Sequence, residues 1–129
     1  MMNGAKAYAK VGLETGINSA SPHGLIVLLY DGAIDSIRKA KIYMENKDIE
    51  MKIKSVDKAL KIISDGLNGS LDVEAGGEIA ERLSALYSFI SKQLVQANAK
   101  NDPAGMDTCI ELLEDLRGAW QEIGQTAKS

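Results

Sequence analysis

Ser19-Ala20-Ser21-Pro22-His23-Gly24-Leu25 opens the segment SASPHGLIVLLYDGAIDSIRKAKIYM (residues 19–44) with a helix-start signal. Ser21 suits the N-cap, where a hydroxyl accepts from an amide one turn on. Pro22 suits the first helical position, where its missing N–H costs nothing. Beyond them Leu25, Leu29, Ala33, Ile37, Ala40 and Met44 recur at helical spacing and make an apolar stripe. Val27, Tyr30 and Ile34 make a second stripe on a different side of the same cylinder. One core needs a single stripe, so the second is read as surplus apolar surface that another segment or a partner must cover.

Outward from this helix the pattern repeats. Asn46-Lys47-Asp48 is a polar turn, and a second helix follows from about residue 50 to 67. Its stripe Ile49, Ile53, Val56, Leu60, Ile63, Leu67 alternates spacings of four and three, the seam of a bundle helix, with Met51 and Ile62 opposite. Gly69 is a candidate left-handed C-cap, and residues 70–77 form a connector anchored by Leu71. A third helix runs from Gly77-Glu78 to about Lys100, with Ile79, Leu83, Leu86, Ile90, Leu94 and Ala97 inward. Tyr87 and Phe89 sit on the margins of that arc. Pro103 breaks the chain and restarts it, giving a fourth helix over about 104–123 with Met106, Cys109, Leu113, Leu116, Trp120 and Ile123 inward. Short connectors make antiparallel neighbours. The expectation is an all-α, antiparallel up-down four-helix bundle over residues 21–124. A loosely structured N-terminal arm over 1–20 and a polar tail over 125–129 complete it.

Composition narrows the function. Fifteen basic against eighteen acidic residues give a net charge of −3, which argues against nucleic acid, whose phosphates demand a basic face. The single cysteine, Cys109, excludes an internal disulfide and favours a reducing, cytoplasmic setting. No apolar run approaches the roughly 18 residues of a membrane span, and the first residues lack the hydrophobic core of a secretory signal. Stable membrane insertion is therefore not expected.

Convergent chemistry is absent. There is no Glu-x-x-His pair for a di-metal site, no Cys/His zinc cluster and no glycine-rich phosphate loop, so neither metal nor cofactor is expected. The sole histidine, His23, falls in the first turn of a helix, where a surface or capping role is the simpler reading. A phosphorelay or regulatory bundle acting through His23 is the alternative, and it suffers because a phosphotransfer histidine stands exposed in mid-helix. Asp31, Asp35, Asp65 and Asp72 read as a solvated face, and Cys109 as a buried inert thiol. An enzyme is not expected.

What remains is apolar surface in excess of one core, the mark of a groove for amphipathic partner segments. The ordered combination Ala20-Ser21-Pro22, Leu29-Tyr30-Asp31-Gly32-Ala33, Ser70-Leu71-Asp72, Gly76-Gly77-Glu78-Ile79-Ala80, Leu86-Tyr87, Ala97-Asn98, Asn101-Asp102 and Ala119-Trp120 resembles the flagellar secretion chaperone family over nearly the whole chain. The resemblance implies a bundle that binds the disordered C-terminal segment of flagellin, keeps it unpolymerised and delivers it to the flagellar type III export gate. Other flagellar regulators are further partners in this reading. It also implies a tyrosine in the N-terminal arm that lies over the apolar groove, matched here by Tyr8; where some members carry a larger aliphatic residue three positions earlier, this chain has Ala5. The other proposed contacts, Val27, Tyr30, Ile34, Ile62 and Tyr87, rest on the stripe pattern alone.

Overall fold

The computed structural model describes residues 21–128, of which Val73 and residues 124–128 are described by backbone only. Four helices carry the described chain: α1 (Pro22–Glu45), α2 (Ile49–Lys61), α3 (Val73–Lys100) and α4 (Pro103–Lys128). No strand occurs among the described residues, so the class is all-α as expected.

Several local signals act where the sequence puts them. Ser21 Oγ accepts from Gly24 N–H at 3.0 Å and Pro22 occupies the first turn of α1. The turn after α1 closes with Lys47 at a φ of 59°, and Asp48 caps α2 by accepting from Met51 N–H at 3.2 Å. Asp72 caps α3, accepting from Ala75 N–H at 3.0 Å, one turn earlier than the sequence suggests. Gly77 then interrupts the helix with φ 53° and ψ −127°, a conformation that needs glycine, and the long segment starts afresh beyond it. Asn101 ends α3 in the left-handed region and Pro103 opens α4. That last helix runs through to Lys128 rather than ending before a tail at 125.

Between α2 and α3 the chain tightens unexpectedly. Residues Ile62–Leu67 form a π-helical segment and Asn68–Ser70 a 3₁₀ turn. Gly69 is not left-handed; the turn is held instead by Ser70 Oγ donating to the Gly66 carbonyl at 2.6 Å.

Cross-links between helices fix the topology. Arg117 meets Asp31, Glu114 meets Arg38 and Asp107 meets Lys41, so α4 runs antiparallel to α1. Lys52 reaches Asn98 and Asn101, while Cys109 Sγ approaches the Ile90 carbonyl at 3.6 Å, which sets α2 and α4 antiparallel to α3. Each helix thus packs on two neighbours around a square, with α1 and α3 across the diagonal. Asp31, read from sequence as solvated, is a bridge to α4.

Burial redraws both apolar stripes. Leu25, Leu29, Ala33, Ile37 and Ala40 lie in the core as expected, but so do Tyr30 and Ile34, 2% and 1% exposed. Flanked by α2 and α4 and facing α3 diagonally, α1 buries about half its circumference, counting 100° per residue. Its second stripe is the edge of a wide core face, not a spare surface. Ile62, expected opposite the α2 seam, is fully buried. The π turn, closing i to i+5, admits an extra residue and brings both Ile62 and Ile63 inward. Conversely, Ile49 and Ile53 from the supposed seam are 66% and 43% exposed, and Lys52 faces inward in their place. Ile79 and Ile123 are exposed as well, against expectation. Ala80 is the buried residue after the Gly77 break, and Ile123 lies beyond Trp120, which already sits level with the first turn of α1.

Candidate partner-binding site

At one end of the square, all four corners contribute to an apolar cleft of about 230 Å³. Pro22, His23, Ile26 and Tyr30 come from the first turns of α1, and Leu67 and Leu71 from the π segment and connector. Leu83 and Tyr87 come from α3, and Trp120 from α4. Among the described residues no Asp, Glu, Lys or Arg lines it.

Two aromatic pairs build its walls. Trp120 and His23 stack with centroids 4.8 Å apart and planes within 9°. Trp120 Nε1–H donates to the His23 carbonyl at 3.1 Å, pinning α4 to the start of α1. Tyr30 and Tyr87 join hydroxyls at 2.6 Å across the diagonal, their rings tilted at 6.4 Å. Burial pushes both phenols above their usual range, and for Tyr87 the neighbouring Tyr30 raises it further. Both therefore stay neutral hydroxyls across the physiological range. Only one of the two protons lies in their mutual bond. Among the described residues His23 Nε2 is shielded from solvent and has no hydrogen-bond partner.

Tyr87 also walls a second hollow, of about 350 Å³, between the π segment and α3. Leu60, Ser64 and Asn68 form one side of it and Ser88, Ser91 and Lys92 the other. Beyond it Val95 stands 50% exposed on α3, and Ile53 and Ile49 continue along α2. Exposed apolar residues do exist, Ile49 and Ile53 on α2, Val95 on α3 and Ile42 on α1, but not at Tyr30 or Ile34 of the second stripe.

Of the residues singled out from sequence, the cleft brings together Tyr30 and Tyr87. Val27 is half-buried beside it without lining it. Ile34 and Ile62 lie in the core, and Tyr8 lies outside the described residues. Trp120 and Leu83 have the spacing of core positions and Leu71 that of a connector anchor, and only the fold shows them converging. Lys52 left no apolar signal. Its stem is buried and its ammonium donates to the Asn98 carbonyl at 3.1 Å and Asn101 Oδ1 at 2.6 Å, serving the C-terminus of α3.

Reactive chemistry is missing from this geometry. Among the described residues no cluster of His, Cys, Asp or Glu could hold a metal ion, and no helix is long and apolar enough to cross a membrane. Burial raises the Cys109 thiol to about 11, which keeps it protonated and inert. The ring of His23 is packed against Trp120 instead of standing free for phosphotransfer.

The family model for the flagellar protein FliS matches residues 4–127. The chain belongs to the FliS family. It is 42% identical over 125 residues to the flagellar secretion chaperone FliS of Salmonella typhimurium, covering 97% of this chain and 93% of that one. The FliS chaperone of Vibrio cholerae is 38% identical over 123 residues (95% and 90%), and that of Escherichia coli K12 is 36% identical over 119 (92% and 88%). FliS is a family of flagellar chaperones and not of enzymes, as the missing catalytic groups suggested.

Proposed function

We propose that this chain binds the disordered C-terminal segment of flagellin in the cytoplasm, keeps it unpolymerised and passes it to the flagellar type III export apparatus. The observation that carries this reading is the pair of hollows that share Tyr87, with exposed Val95 beyond Ser91 and Lys92 on α3. A segment that is helical in the filament must bury its apolar face beforehand, and two hollows that adjoin at Tyr87 suit a chain that wraps. Ordering such a segment consumes part of the contact energy, which favours release.

Tyr30 and Tyr87 are the proposed floor of the contact and Val27 its margin, while Ile34 and Ile62 support it from the core. Tyr8 is proposed to lie over the cleft in the free chain and to leave it when flagellin arrives. Calorimetric titration with a flagellin C-terminal peptide should give tight one-to-one binding with a negative heat-capacity change. Absence of binding at micromolar concentration would overturn the reading. Tyr8→Ala should raise the uptake of an apolar dye by the free chain, and unchanged uptake would count against the arm.

A further inference from the structure

Hollows on this bundle treat charge in different ways. The end cleft holds none among its described lining residues. A hollow of about 490 Å³ between α1 and α4 is rich in charge, but Arg38 is paired with Glu114 and Lys41 with Asp107, so its cations are already answered. The hollow between the π segment and α3 differs from both. Among the described residues Lys92 is its one charged side chain, and Lys92 forms no ion pair there. Ser64, Asn68, Ser88 and Ser91 surround it, each able to donate a hydrogen bond.

Open to water, an unpaired ammonium is well solvated. A chain seated in the hollow removes that water, and the covered donors are then unfavourable unless the occupant supplies acceptors. A lysine has three N–H groups and no lone pair, so a carboxylate answers it better than a neutral amide, through bonds roughly twice as strong. Apolar surface adjoins the charge. Leu60 and Tyr87 line the same hollow, and Val95 stands 50% exposed one turn along α3 from Lys92. Side chains three apart on a helix lie about 5–6 Å from each other. The matching occupant carries an Asp or Glu about one helical turn from an apolar residue.

We propose that Lys92 is a specificity residue of the flagellin contact: its ammonium pairs with one carboxylate of the bound segment, while Ser88 and Ser91 donate to that segment's remaining acceptors. This rests on the flagellin reading above and adds the charge that the segment must carry at this hollow. The chain has a net charge of −3, so an acidic side chain is on average repelled by it. A free cation inside a hollow therefore fixes where along the bundle that side chain settles, and with it the register of the segment.

Calorimetric titration provides the test, using a flagellin C-terminal peptide whose Asp and Glu residues are replaced one at a time by Asn and Gln. For the wild-type chain one replacement should weaken binding about fivefold, the upper end of what an ion pair open to water contributes. Lys92→Met, which keeps the stem, should weaken the unaltered peptide by the same factor and be indifferent to that one replacement. Lys58→Met, at an exposed lysine outside both hollows, should stay within about twofold of wild type. Lys92→Glu should bind worst, and a peptide with Lys at the identified position should recover affinity for it. Lys92 is exposed, so the urea midpoints of its variants should match wild type.

Binding unaffected by every peptide replacement, or losses that simply add between Lys92→Met and the peptide variants, would overturn the pairing. An equal loss in Lys58→Met would do the same, since overall charge would then explain the effect. Each of these results leaves peptide binding intact and spares the flagellin reading. A peptide that does not bind the wild-type chain overturns both.

Discussion

The second apolar stripe of α1 and the first two residues of the α2 seam look alike in the sequence and have opposite fates in the fold. Tyr30 and Ile34 lie almost wholly inside, whereas Ile49 and Ile53 stand in the open. Each stripe has correct helical spacing, so periodicity alone cannot tell them apart. What separates them is which face each helix turns towards its two neighbours, and for α2 the π segment after Lys61 is part of what sets that face. An apolar stripe marks a surface that needs cover; which cover it receives is decided by its position in the bundle.

The sharpest way to break this contrast is to charge the buried stripe. Ile34→Asp or Ile62→Asp should cost more than about 4 kcal/mol and abolish cooperative unfolding in urea, because a carboxylate would be left without partners in the core. Persistence of a native, cooperative fold in either variant would restore the surface reading of that stripe.

Alkaline pH tests the same region more gently. Tyr30, Tyr87 and Cys109 all have folded-state pKa values raised by burial, so the unfolded chain loses their protons first. The stability they contribute is complete below about pH 8 and declines as pH rises further, first through Cys109, by an amount on the order of 2 kcal/mol at pH 10. Urea midpoints across that range should fall, and Tyr30→Phe with Tyr87→Phe should flatten part of the decline. A pH-independent midpoint would show that these groups are open to water.

Gly66 tests what turns α2. A Cβ placed there would lie 2.9 Å from Leu29 Cδ2, in a core where Leu29 has no exposure. Gly66→Ala should therefore lower stability by roughly 1–3 kcal/mol as judged by thermal unfolding. A neutral result would mean that the π segment can shift away from α1.

The smallest effect on the fold should come from the open seam. Ile49→Asp and Ile53→Asp should change stability by no more than about 0.5 kcal/mol. Under the proposed function Ile53→Asp should nevertheless weaken the flagellin peptide severalfold in calorimetry. A large loss of stability in either variant would make those residues core after all.

Much of the fold is legible in particular residues. Ser21-Pro22, Asp48, Gly77 and Asn101-Asp102-Pro103 mark boundaries through local hydrogen bonding and φ restriction, and these operate within a few residues of chain. The candidate site was legible only in part. Tyr30 and Tyr87 were chosen for apolar spacing, but their hydroxyl pair joins positions 57 residues apart and no local pattern encodes it. Lys52 escaped because a buried amine is recognisable only once the carbonyl it serves, at Asn98, is in place.

The sequence by itself determined four amphipathic helices, several of their boundaries and the family resemblance, since these depend on neighbours along the chain. Tertiary structure alone decided which apolar faces remain open, where the hollows lie and that His23 meets Trp120. Those outcomes depend on helix rotation, on a π turn that alters the period midway, and on contacts between distant residues. Burial is a property of the assembled bundle, and no single helix contains it.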